Sequence, residues 1–62
     1  MKKFIALTVA FTKDKTRVET INVDKIYRII ERENGSAVCF NSSGSDAIEV
    51  KETREQIEKL IG

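Results

Sequence analysis

The fold turns on Asn22-Val23-Asp24-Lys25-Ile26-Tyr27-Arg28-Ile29-Ile30-Glu31-Arg32-Glu33-Asn34-Gly35, because two architectures compete for this stretch. Val23, Ile26, Tyr27 and Ile30 fall at i, i+3, i+4 and i+7, the spacing of one helical face. Asn22 stands where it would cap the first turn, and Gly35 where it would end the last. The rival reading makes a short turn at Asp24-Lys25 and runs a strand from Ile26 to Arg32, in which Tyr27, Ile29 and Glu31 oppose Ile26, Arg28, Ile30 and Arg32. Asn34-Gly35 then becomes a hairpin turn, a strong short-range signal. A helix near residues 23–33 gives an α+β domain, whereas a strand gives a mainly β one. Pattern alone leaves both open, since short apolar runs fit either period.

The flanks read as strands. Ile5, Leu7, Val9 and Phe11 alternate with Ala6, Thr8 and Ala10, the period of a half-buried strand. Lys13-Asp14-Lys15-Thr16 is a polar turn, after which Val18, Thr20 and Asn22 alternate with Glu19, Ile21 and Val23 as a hairpin partner. On the other side, Ser36 to Phe40 holds the apolar run Ala37-Val38-Cys39-Phe40, suited to a central strand. The composition of Asn41-Ser42-Ser43-Gly44-Ser45-Asp46 marks a loop, and Ala47-Ile48-Glu49-Val50 a short strand.

Thr53-Arg54-Glu55-Gln56 matches the capping box, and Ile57, Leu60 and Ile61 share one helical stripe. Arg54 with Glu58 and Glu55 with Lys59 form i,i+4 charge pairs on its solvent side. The expected fold is therefore mainly β: a small antiparallel four- to five-stranded sheet, curled as an SH3-like barrel, with one C-terminal helix from Thr53 to Ile61. The alternative is α+β, with a second helix near residues 23–33. The expected core is Ile5, Leu7, Val9, Val18, Ile26, Ile29 or Ile30, Val38, Phe40, Ile48, Val50, Ile57 and Leu60.

At 62 residues the chain is one domain at most, with a thin core. No His and a single Cys exclude an internal disulfide, a zinc finger, a Ser-His-Asp triad and a Cys-His pair. Eleven Lys and Arg against ten Asp and Glu give a net charge of +1, so the balance demands no polyanion. The halves differ, however. Residues 1–32 carry eight basic and four acidic groups, residues 33–62 three basic and six acidic. Such a dipolar chain can pair its halves within the fold or head to tail between subunits. Met1-Lys2-Lys3 before Phe4 to Phe11 imitates a secretory signal. The apolar run is short, though, contains Thr8, and is followed by the charged stretch Thr12 to Arg17, so a cytoplasmic address is expected. Nothing here approaches the roughly 20 apolar residues of a membrane span.

Few residues carry chemistry. Cys39 lies between Val38 and Phe40 with no His or nearby Lys to generate a thiolate, which reads as an inert core cysteine. The Ser-rich loop with Gly44 lacks the Lys and spacing of a phosphate loop. Asp46, Glu49 and Glu52 match no calcium-loop pattern. No catalytic residue, cofactor or metal site is expected. Lys2, Lys3, Lys13, Lys15, Arg17, Lys25, Arg28 and Arg32, with Phe4, Phe11 and Tyr27 among them, raise a nucleic-acid reading. Against it, the aromatics fall mostly at core-facing phases, and no RNP or GXXG signature appears. The expected partner-binding residues are Tyr27, Arg28 and Arg32, beside the polar loop Ser42 to Ser45.

Ile21-Asn22-Val23-Asp24-Lys25-Ile26, the Ile29-Ile30 pair, Asn34-Gly35 and Ile48-Glu49-Val50-Lys51-Glu52-Thr53, with Ile57 and Leu60-Ile61, resemble the FlbD/SwrD family of small flagellar-operon proteins over residues 21–61. The family's early Leu-Asn-Gly turn and its Thr-Pro-Asp-Thr segment have no counterpart in this chain. The resemblance implies short strands around an "I-N-x-x-x-I" turn and favours a strand over residues 26–32. It also implies an accessory role in a larger bacterial machine such as the flagellar motor. The function expected is that of a non-enzymatic protein-interaction or assembly module of a bacterial cytoplasm, engaging a protein partner or itself as a homo-oligomer. The alternatives are a small nucleic-acid-binding regulator and a phage or mobile-element accessory protein.

Overall fold

Alternation makes Ile5, Leu7 and Val9 one buried row, and the rest of the fold is arranged around the strand that carries them. The computed structural model describes residues 2–62. The elements are β1 (Phe4–Ala10), β2 (Thr16–Asn22), a 3-10 turn (Val23–Lys25), β3 (Arg28–Arg32), β4 (Gly35–Cys39), β5 (Ala47–Val50) and α1 (Arg54–Ile61). All pairings are antiparallel, and the five strands form one sheet in the order β2-β1-β5-β4-β3. The protein is mainly β with one C-terminal helix, as the sequence predicts. The expected SH3-like barrel is corrected: β2 and β3 are the two edges of the sheet and do not pair with each other, so it is not closed.

The contested stretch resolves as turn then strand. Asn22 caps as expected, its side chain accepting from the Asp24 N–H at 3.0 Å, but the helix lasts only Val23–Lys25. The Ile26 N–H still bonds back to the Val23 carbonyl at 3.1 Å, and the chain is extended from there. Tertiary pairing with β4 takes the residues that a helix would have used, which corrects the α+β alternative.

Residues opposite one another across a ladder share a face. Ile5 pairs with Ile21, Val9 with Val50, and Val38 with both Ile29 and Ile48, so these rows point inward. Ile5, Leu7, Val9, Ile21, Val38, Val50 and Ile57 form the core, with Ile26, Ile29, Phe40, Ile48 and Leu60 partly buried against it. The expected place of Val18 in the core is wrong. It stands opposite Thr8 on the outer face and is 69% exposed, because the Ile5–Ile21 pair sets the phase of β2. Glu19 and Arg17 consequently follow Ile21 on the inner side, beyond the core, hydrogen-bonded to each other at 2.6 Å. The Arg17 guanidinium lies 4.9 Å from the centroid of the Phe11 ring.

The β3–β4 turn is also displaced by one residue. Arg32 pairs with Gly35, so Glu33-Asn34 forms the turn rather than Asn34-Gly35, and neither turn residue has a positive φ. Gly35 instead starts β4 with φ +150°, where its bare Cα faces the Val50 carbonyl of β5.

Where β5 leaves the sheet, Glu52 replaces the backbone. The Thr8 carbonyl still accepts the Lys51 N–H at 2.9 Å, but the Thr8 N–H and hydroxyl each donate to the Glu52 carboxylate at 2.9 Å. Behind it the Ser36 hydroxyl, fully buried, donates to the Glu52 carbonyl at 2.8 Å. Glu52 thus ties β1 and β4 to the start of α1. Truncating Glu52 to alanine strands the Thr8 donors and is expected to cost about 1–3 kcal/mol, measured by thermal denaturation. Glu52→Gln, which keeps an acceptor for the N–H, should lose less. Equal losses for the two variants would show that charge, not hydrogen bonding, carries the effect.

The capping box forms as read, with the Gln56 N–H on the Thr53 hydroxyl at 3.1 Å and the Thr53 N–H on the Gln56 amide oxygen at 2.9 Å. Ile57 is fully buried, and the Ile61 carbonyl receives the Lys2 N–H at 2.9 Å. The two expected i,i+4 pairs are present, and Arg54 also reaches Glu31 of β3 at 3.5 Å. No helix among the described residues is long and apolar enough to cross a membrane.

Candidate interaction surface

On the outer face of β3, Arg28, Ile30 and Arg32 occupy alternate positions, and the β4 residues opposite them are Cys39, Ala37 and Gly35. Ala37 and Cys39 are 1% and 3% exposed, yet they lie outside the core cluster, so side chains on this outer side cover them. Their ladder neighbours are Ile30 and Glu49 for Ala37, and Arg28 and Ala47 for Cys39. Small residues on a central strand leave a trough that long neighbours can cross.

Arg32 crosses it, and Arg28 reaches the loop at its end. The Arg32 guanidinium meets the Glu49 carboxylate of β5 at 3.7 Å, which spans β4. The Arg28 Nη2 lies 3.8 Å from the point where a side chain on Gly44 would begin, which places it against the 41–46 loop. Ile30 sits half-buried between the two charges.

The Asn41 side chain organises the loop. Its Oδ1 accepts from the Gly44 N–H at 2.9 Å and the Ser43 hydroxyl at 3.3 Å, and its Nδ2 donates to Ser45 Oγ at 2.9 Å. The Phe40 N–H closes the loop on the Asp46 carbonyl at 2.8 Å. Gly44 has φ +79°, a conformation that side chains disfavour. The Ser43 and Ser45 hydroxyls are thereby engaged inside the loop, which borders Arg28.

Of the residues expected to bind a partner, Tyr27 and Arg28 come together at the loop end of β3. Tyr27 is 62% exposed, with its N–H held by the Cys39 carbonyl at 2.8 Å. Arg32 is separated from Arg28 by four strand positions, roughly 13 Å. It lies away from the Ser42–Ser45 loop and lines a shallow groove with Ala10, Glu33, Glu49 and Lys51. The expectation that all three border the loop is therefore corrected for Arg32. Sequence reading missed Ile30 and the small-residue trough. The signal was available in the Gly35, Ala37, Cys39 alternation opposite Arg32, Ile30, Arg28, once the register was known.

No family model, curated protein or solved structure matches this chain. The surface is thus read from its own chemistry. Cys39 is free and buried, and among the described residues no three Cys, Asp or Glu side chains converge to hold a metal ion. The aromatics fall mostly at core-facing phases in the sequence, yet none is buried: Phe4, Phe11 and Tyr27, beyond or at the ends of the strands, are 54%, 48% and 62% exposed.

Proposed function

We propose that this chain is a small non-enzymatic interaction module of a bacterial cytoplasm, docking a protein partner on the outer face of β3. The observation that supports this is the outer row of β3, in which exposed Arg28 and Arg32 flank half-buried Ile30 over the small residues of β4, with exposed Tyr27 next to Arg28 at the loop end. Tyrosine and arginine around an apolar centre are the residue types that dominate protein interfaces, where single truncations often cost about 2 kcal/mol or more. The nucleic-acid reading draws on the same arginines and on the exposed aromatics. Arg17 and Arg32, however, are each paired with a carboxylate, and Arg17 also covers the Phe11 ring. The resemblance to the FlbD/SwrD family makes a large bacterial assembly such as the flagellar motor the first partner to test.

Replacing Arg28 and Arg32 together with glutamate should reduce recovery of the captured partner tenfold or more in a quantitative pull-down. The far-ultraviolet circular dichroism should not change, because both side chains lie at the surface. Unchanged recovery would remove these residues from the site. Fluorescence anisotropy on a labelled random single strand near 50 mM salt separates the alternatives: salt-sensitive binding lost in the same variant would replace the protein partner with a nucleic acid.

A further inference from the structure

We propose that a second copy of this chain adds to the free edge of β2, in antiparallel register centred on Val18, making one sheet continuous across a two-fold axis. This surface lies on a different strand from the one discussed above and does not depend on that reading.

The backbone decides which groups are free. Thr8 directs both its N–H and its C=O to the β5 side, toward Glu52 and Lys51 at 2.9 Å each. Backbone groups alternate sides along an antiparallel strand, so Leu7 and Val9 direct theirs to Glu19 and Arg17 of β2. The Phe11 N–H to Lys15 carbonyl and Val23 N–H to Lys3 carbonyl bonds continue the same phase at the two ends of the hairpin. It follows that Thr16, Val18 and Thr20 present their N–H and C=O to the open side.

The sequence of that edge complements itself. Thr16-Arg17-Val18-Glu19-Thr20, laid antiparallel on its copy with Val18 opposite Val18, sets Thr16 against Thr20 and Arg17 against Glu19. Outward-facing residues then meet outward-facing residues, and each such pair exchanges two N–H···O=C bonds. A shift by one pairing residue would centre the register on Arg17 or on Glu19 and oppose like charges. Only the Val18 register joins opposite charges. Val18, at 69% the most exposed large apolar side chain among the described residues, would then lie against its twin.

The two edges of the sheet also differ. β3 has five residues, with Arg28, Glu31 and Arg32 among them, and Arg54 of α1 reaches Glu31. β2 has seven, without Pro or Lys, and its two charged residues, Arg17 and Glu19, are of opposite sign, so that in the Val18 register they attract the copy instead of repelling it.

Sedimentation equilibrium from micromolar to millimolar concentration reads the prediction. The mass should rise from the 7.0 kDa monomer toward its double. Arg17→Glu alone and Glu19→Arg alone should each stay monomeric, because either gives the strand a single sign of charge. An equimolar mixture of the two should form a heterodimer, and the double swap Arg17→Glu/Glu19→Arg should restore self-association. Val18→Pro removes an outward donor that β1 does not use, and should abolish the dimer while the circular dichroism stays that of the folded chain. A wild-type chain that remains monomeric at millimolar concentration overturns the proposal. A dimer that survives both single charge variants, with no preference on mixing, also overturns it.

Discussion

Gly35→Ala should lower stability by about 3 kcal/mol or more, which for a domain of this size means a melting point lower by roughly 12 °C or more, or no folded population at all. The residue sits at φ +150°, a backbone state that side chains rarely adopt. The added methyl would run into the Val50 carbonyl oxygen and come within 3.1 Å of the Lys51 Cα, backbone atoms at and just past the end of β5 that cannot swing away as a side chain would. Relief requires β4 and β5 to separate at the point where Ser36 and Glu52 also join them, so strain and lost hydrogen bonding add. A small domain holds about 3–5 kcal/mol in total, so the variant has little margin. Asn34→Ala is the control. If glycine served the turn, its neighbour would share the burden; Asn34 has an ordinary φ and should lose about 1 kcal/mol or less. Urea denaturation of the two variants side by side decides the matter, and a Gly35→Ala midpoint near that of wild type would refute the steric account.

The same glycine shows where sequence reading stops. Asn34-Gly35 announces a hairpin correctly, but whether glycine serves the turn or the approach of a third strand depends on β5, which is remote in sequence. β2 poses the same problem. Thr16 to Asn22 holds a candidate apolar residue in each alternation phase, Val18 in one and Ile21 in the other, and only the Ile5 opposite Ile21 selects between them. The row Ile5, Leu7, Val9 and the capping box at Thr53 were legible because each is complete within a few residues. The helical pattern over 22–30 was legible too, but it expresses itself only as one 3-10 turn, since β4 offers Ile29 and Arg28 a ladder.

The candidate surface divides along the same line. Tyr27, Arg28 and Arg32 are legible as polar or amphipathic positions on a strand. That Arg28 reaches the Gly44 loop while Arg32 turns to Glu49 depends on the small residues of β4 and on the strand order that sets β5 beyond it, which no local pattern encodes. The self-complementarity of Thr16 to Thr20 is written in the sequence, yet it gains meaning only when β2 is known to be an edge and Thr8 shows which backbone groups are free.

Ile57→Ala should cost about 2–5 kcal/mol and release the helix from the sheet. Ile57 is the one helix residue buried completely; Leu60 and Ile61 are only partly covered. An eight-residue helix does not persist alone in water, so α1 exists because this side chain enters the row of Ile5, Leu7 and Val9. The remaining attachments are the partly covered Leu60 and Ile61, the Glu52 hydrogen bonds just before the helix, exposed ion pairs, worth little, and single backbone bonds such as Lys2 to Ile61. Once α1 leaves, the inner face of β1 meets water. Loss of the helix and loss of the sheet should therefore occur together, and hydrogen exchange should show α1 and β1 amides losing protection to the same extent. Leu60→Ala, at a half-covered site, should cost clearly less. Were the α1 amides to exchange freely while those of β1 and β4 kept wild-type protection, the helix would be an appendage and not part of the core. Equal costs at Ile57 and Leu60 would mean that helix propensity or surface contacts hold α1, since burial alone distinguishes the two positions.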